Sequence, residues 1–191
     1  HHYAEPLGRN DAVQAYGWVP HVPAAKRKVY ESRAHREGVT GYAFMERSAD
    51  GVLVRADRRD AYLPIHYVEP VSGNDKTLGF DVGSDPEFRV WLDLAQRIGL
   101  ATATAPVELI QHPEERNGIF VFQPVAADTT GADVRRAIPH MQREIRGFIF
   151  AVLRPFVTMR EALMRTGQYE SILSVDLFDV LPGGKTVWLA S

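Results

Sequence analysis

Any chemistry in this chain has to come from histidines, carboxylates, hydroxyls or basic side chains, because its 191 residues contain no cysteine. A disulfide framework, a zinc ribbon, an iron–sulfur site and a thiol nucleophile are excluded together, while the redox compartment is left open. Of the seven histidines, His1 and His2 read as the remnant of a purification tag, and His21, His35, His66, His112 and His140 fall on different predicted elements. No two of these stand at a ligand spacing, so a metal site would need them gathered in three dimensions. Phosphate-cradling glycine loops and the Gly-x-Ser-x-Gly elbow are absent. Carboxylates are plentiful, but acid–base work needs pairs whose surroundings split their pKa values. An enzyme built from these parts therefore requires a cleft where a histidine meets an Asp or Glu. Lys26, Arg27, Lys28, Arg33 and Arg36 crowd one predicted helix; this reads as a solvated face, with a phosphate-binding patch as the alternative. The interleaved basic and aromatic residues of a nucleic-acid surface are missing.

Composition narrows the class. Hydrophobic residues make up 45% and charged residues 24%, enough apolar content for a globular core. Net charge is −2, with 22 basic against 24 acidic residues, so there is no global pull toward nucleic acid or acidic lipid. The longest apolar run, 147–153, is far short of the roughly 20 residues that a membrane span needs. The length suits one domain, or two small ones sharing a core.

The elements that must position these side chains alternate between helix and strand. A short helix is predicted over 10–17, capped by Asn10 or Asp11 and ended by Gly17. A charged helix follows over 24–37, with Ala25, Val29 and Ala34 on its apolar side and Gly38 as its stop. The period then changes to two: 42–47, a Ser48–Gly51 turn and 52–54 form a hairpin, and 62–68 is a strand whose Pro64 marks an edge or bulge. Ser84 and Glu87 make a capping box around Pro86, opening a helix that carries Phe88, Trp91, Leu92, Ala95 and Ile98 to Gly99. Strands are predicted over 101–110, 118–125 and 147–153, a helix over 155–165, and a last hairpin from 172–181 and 186–189. The stretch 126–145 is ambiguous, with a short helix over 134–141 interrupted by Pro139, and it holds the boundary between two halves. The fold class is α+β, with antiparallel sheets and helices on one side.

Within that frame Phe88, Trp91, Phe120 and Phe122 have the spacing of plain core and equally of an aromatic-walled pocket. Thr104 suits a bond to a neighbouring backbone group, and Arg89 a helix-surface ion pair. His66 lies on a strand whose alternation does not decide its direction. Asn74 and Gly79-Phe80-Asp81 shape a loop in which Asp81 bonds nearby amides.

Taken in order, several blocks resemble the CHASE domain, the extracellular sensory module of histidine kinases and nucleotide cyclases. They are Trp18-Val19-Pro20-His21-Val22-Pro23, Gly41-Tyr42-Ala43-Phe44, Tyr62-Leu63-Pro64-Ile65-His66-Tyr67-Val68-Glu69-Pro70, Gly73-Asn74, Leu78-Gly79-Phe80-Asp81, Ser84-Asp85-Pro86, Thr104-Ala105-Pro106-Val107, Leu109-Ile110-Gln111 and Phe122-Gln123-Pro124-Val125. The likeness covers about 18–125 and continues more weakly to the end. It implies an N-terminal stalk helix (3–40), a membrane-distal PAS-like subdomain that binds the ligand (41–130) and a membrane-proximal PAS-like subdomain (131–191). It further implies a small-molecule ligand, a homodimer through the N-terminal helix, flanking membrane anchors, and a place on the periplasmic or extracellular side. The implied output is a histidine kinase, with a diguanylate cyclase as the alternative; a protein-interaction module without a small-molecule ligand is the rival reading. The implied ligand-binding set is Tyr62, His66, Phe88, Trp91, Thr104, Ile110, Phe120 and Phe122, with no catalytic residue, metal or cofactor. Cytokinin receptors of this family place a carboxylate and a threonine where this chain has Phe88 and Phe122, keeping only the threonine matched by Thr104. Those departures argue against cytokinin as the ligand.

Overall fold

The structure is a computed structural model that describes residues 12–107, 118–127, 144–155, 157, 177–180 and 186–190. Its centre is a five-stranded antiparallel sheet. The strands are β1 (Val13–Pro20), β6 (Tyr67–Glu69), β7 (Thr102–Ala103), β8 (Ile119–Ala126) and β9 (Ile145–Leu153), in the order β6-β1-β9-β8-β7. Three small pairs accompany it: β2 (Val22–Pro23) with β5 (Ala61–Tyr62), β3 (Met45–Arg47) with β4 (Leu53–Arg55), and β10 (Leu177–Val180) with β11 (Thr186–Ala190). Two helices are described, α1 (Arg27–Arg36) and α2 (Pro86–Ile98). The α+β class with antiparallel sheets is thus observed.

Period-two alternation explains the sheet. Phe148, Phe150 and Val152 of β9 point to one face, where Phe122 of β8 and Val19 of β1 meet them. Helix α2 covers that face with Phe88, Leu92 and Ala95, which recur at helical spacing and are all buried. Position 147 of β9 needs glycine where β9 closes on β1, because a Cβ there would fall 2.1 Å from the Val19 carbonyl oxygen, at a φ of +154°. A second apolar cluster, with Val22, Ala34, Tyr42, Phe44, Ala56 and Tyr62, fills the space under α1.

Some sequence expectations are corrected. The helix predicted over 10–17 is strand β1 from Val13 onward, paired to β6 on one side and β9 on the other. A local run such as Val-Gln-Ala is compatible with a helix, but pairing along both edges decides its state. The N-terminal stalk helix expected over 3–40 is not seen in its described part, where β1 and β2 occupy Val13–Pro20 and Val22–Pro23 and only Arg27–Arg36 forms an α-helix; residues 3–11 lie outside the described residues. On α1 the apolar side is misassigned: Val29 is 61% exposed, whereas Ala34 and Glu31 are buried. Ile98, expected on the covered face of α2, is 46% exposed. The cap of α2 sits one residue later than expected, where the Asp85 carboxylate accepts the Glu87 N–H at 2.9 Å; Gly99, at φ +71°, closes the helix as expected. The strand over 62–68 is split, and Pro64 stands between β5 and β6 in an isolated bridge to Asp81. Most of the helix predicted over 155–165 lies outside the described residues. Strands β8 and β9, which flank the boundary expected in 126–145, pair in register from Ile119↔Leu153 to Val125↔Gly147, with a bulge before Ala126↔Ile145. No helix among the described residues is long and apolar enough to cross a membrane.

Candidate functional site

Five of the residues picked from the sequence gather around α2 and the β7–β8 edge. Phe120 and Phe122 share a face of β8, and α2 lowers Phe88 onto both, with ring centroids 4.8 and 5.9 Å away. Phe122 is fully buried and also touches Phe148 and Phe150. The rings occupy the space between helix and sheet at this point. Thr104 serves the backbone, its hydroxyl accepting the Phe120 N–H at 3.1 Å. Trp91 is half-buried on the same helix, and its carbonyl accepts the Thr102 hydroxyl at 3.0 Å, tying β7 to α2.

Tyr62 and His66 belong to the other cluster. The Tyr62 ring lies between two guanidinium groups, Arg27 at 5.0 Å and Arg59 at 5.7 Å. Its hydroxyl donates to the Asp57 carbonyl and accepts from Arg27. His66 is 6% exposed, with the rings of Tyr30, Tyr42 and Tyr67 at 5.4, 5.5 and 4.9 Å. Its Nδ1 lies 3.1 Å from the Tyr42 hydroxyl, which reaches the Ile65 carbonyl at 3.4 Å. With Nδ1–H donating into that relay, Nε2 keeps a lone pair, and that buried atom has no hydrogen-bond partner among the described residues. Burial holds the imidazole pKa below its ordinary value. Ile110 lies outside the described residues.

A cavity of about 310 Å³ opens beside these clusters, between α2, β5 and the first residues of β9. This is the low end of the range for small-molecule sites. Leu63, Leu92, Ile145 and Phe148 form its apolar wall, and Arg59, Asp60, Asp81, Arg89 and Asp93 bring charge to it. Asp81 is fully buried. One of its oxygens accepts the Leu63 N–H at 2.7 Å and the Gly83 N–H at 3.2 Å, and the other takes Arg59 at 3.3 Å. Burial raises its pKa, and the backbone N–H groups and Arg59 offset only part of that. Arg59 also pairs with Glu46. On α2, Arg89 Nε bonds both oxygens of Asp93, at 3.0 and 3.2 Å. The amide-binding role expected of Asp81 and the helix-surface pair expected of Arg89 are both present. Arg59 and Asp60 escaped the sequence reading; their only signal was the charged run Asp57-Arg58-Arg59-Asp60 just before β5.

His21 lines the same cavity as Asp60, which is the convergence an enzyme reading asks for. Among the described residues, however, no hydrogen bond joins the His21 ring to a carboxylate, and no three metal-ligating side chains come together. The arrangement can hold a small molecule by charge at one side and apolar contact at the other.

The cavity lies at the Pro20–Ile145 end of the two central strands. At their opposite end Val13 pairs with Leu153, and the Arg154 N–H donates to the Ala12 carbonyl at 2.8 Å. The chain therefore enters and leaves the sheet side by side, far from the cavity. A family model described as the CHASE domain matches residues 1–189. No curated protein matches the chain.

Proposed function

The chain belongs to the CHASE domain family, a family of extracellular sensory domains of signalling receptors, and from that premise we propose that it is the small-molecule-sensing part of a bacterial transmembrane receptor. The five-stranded sheet with α2 on its face is the PAS-like unit that takes the ligand, on the periplasmic side. The output is a sensor histidine kinase, with a diguanylate cyclase as the other candidate.

The observation that carries this reading is the placement of the cavity. Ile145 and Phe148 of β9 line it, while the far ends of β9 and β1 carry the chain into and out of the sheet. At about 3.4 Å per residue, β9 spans close to 30 Å. A ligand that prefers one packing of the sheet end would shift both connections together, and such a preference is what a signal requires.

Thermal-shift screening of the domain against a metabolite panel, followed by calorimetry, tests it. A ligand at a hundredfold excess over its Kd adds about 2.7 kcal/mol, or about 5–10 °C for a chain of this size. A panel in which no compound raises the melting temperature would count against a small-molecule sensor.

The closed Phe88–Phe120–Phe122 cluster favours a second reading, a module that dimerises or senses a protein partner. The outward sheet face supports it: Tyr16, Tyr67 and Ile149 are all exposed there, and Tyr67 and Ile149 flank Trp18 in register. Concentration-dependent light scattering, with Ile149→Lys as the disrupting variant, separates the two.

A further inference from the structure

We propose that the cavity between α2 and β5 takes a small zwitterion with an apolar body, the chemistry of an aliphatic α-amino acid, its carboxylate on Arg89 and its ammonium on Asp60. This assignment rests on the sensory reading of the same cavity and adds the class of ligand.

The unspent hydrogen-bonding groups set the class. Arg59 is already engaged, one arm on Asp81 and the other on Glu46. Both Asp81 oxygens are taken as well. Arg89 is different: its Nε bonds Asp93, it acts on the Asp81 carboxylate only through space, and its two terminal nitrogens make no hydrogen bond among the described residues. A guanidinium in that state is suited to a carboxylate. Asp60, an exposed residue that also lines the cavity, has no hydrogen bond to its carboxylate among the described residues, and its backbone carbonyl is anchored by the Ala24 N–H at 2.8 Å. A cation donor and an anion acceptor thus face the cavity from separate elements, α2 and the start of β5, with Leu63, Leu92 and Phe148 beside them.

Charge balance favours a zwitterion over the simpler ligands. The lining carries two arginines, Arg59 and Arg89, against three aspartates, Asp60, Asp81 and Asp93, a net charge of −1. A plain carboxylate on Arg89 would add to a negative excess. A plain amine on Asp60 would leave the Arg89 guanidinium, 57% exposed, to water and forgo the ion pair it can offer. A zwitterion meets both groups and leaves the net charge unchanged, while an aliphatic side chain covers the apolar wall. A molecule the size of leucine is within the capacity of about 310 Å³.

Calorimetric titration of the whole chain with L-leucine and L-methionine tests this, with 4-methylpentanoate (acid only) and 3-methylbutylamine (amine only) as comparators. The expected result is binding of an amino acid at least tenfold tighter than either comparator. Arg89→Gln should reduce the amino acid to the level of the amine, and Asp60→Asn to the level of the acid, with Arg89→Lys recovering part of the loss. Circular-dichroism melting of each variant shows that it is folded. Equal binding of a comparator, or amino-acid binding untouched by both substitutions, would overturn the proposal. If neither amino acid binds but another metabolite does, and Ala61→Phe abolishes that binding by filling the cavity, the zwitterion assignment fails and the sensory reading stands. If nothing in the panel binds, both fail.

Discussion

Asp81 is fully buried, yet three donors converge on it, so it holds the cavity floor together rather than waiting for a ligand. Asp81→Ala would strand the Leu63 and Gly83 N–H groups and one arm of Arg59, at a cost of about 3 kcal/mol in chemical denaturation. Asp81→Asn keeps an acceptor for the backbone and should cost much less. His66 makes a different prediction. Burial depresses its pKa, and Glu37 opposes that only partly while Arg33 reinforces it. The folded state therefore binds fewer protons than the unfolded chain just below the ordinary value of 6.5, so stability present above that pH is lost as pH falls toward the folded-state pKa. Melting temperatures measured between pH 7.5 and 5.5 should drop for the parent, and the slope should shrink in His66→Gln. Glu31, whose burial is outweighed by the Phe44 N–H, Arg27 and Arg55, has a lowered pKa, so its own loss of stability belongs below its ordinary 4.5 and does not confuse the test.

Helix α2 shows how much of an element local signals specify. Pro86 at the first turn, Phe88, Leu92 and Ala95 at helical spacing, and Gly99 beyond the end place it within a residue or two from sequence. The cap is the exception, because the box formed by Ser84 and Glu87 and the turn formed by Asp85 compete for the same amides. The Ser84 hydroxyl instead donates to the Asp81 carbonyl at 2.6 Å. Asp85→Ala should therefore cost about 1 kcal/mol in urea denaturation with an unchanged m-value, and Asp85→Ser should restore most of it. Strand β1 was illegible for the opposite reason. Nothing near Val13–Pro20 demands a strand; its partners lie at 67–69 and 147–153. The inward turn of α1 was hidden likewise, since Glu31 is held by Phe44 and Arg55, 13 and 24 residues away. The cavity belongs to this second kind. Arg59, Asp60 and Arg89 become neighbours only when β5 and α2 face each other, whereas the aromatic spacing on β8 was readable from the chain and turned out to serve packing.

At the scale of the whole molecule, the sheet decides which residues form one folding unit. Two of its three inner strands, the neighbours β1 and β9, are its first and last along the chain, and they pair from Val13↔Leu153 to Pro20↔Gly147. A fragment covering 41–130 would keep β6, β7 and β8 but lose the strands that join them, exposing Phe122 and Val68 to water. Burial of a Phe side chain is worth about 1.5–3 kcal/mol, and total stabilities are only about 5–15 kcal/mol, so that loss leaves no margin. The fragment 41–130 should therefore show no cooperative thermal transition by circular dichroism, while 12–157 should melt in a single one. A cooperative transition in 41–130 would mean that the distal subdomain closes its core without β1 and β9.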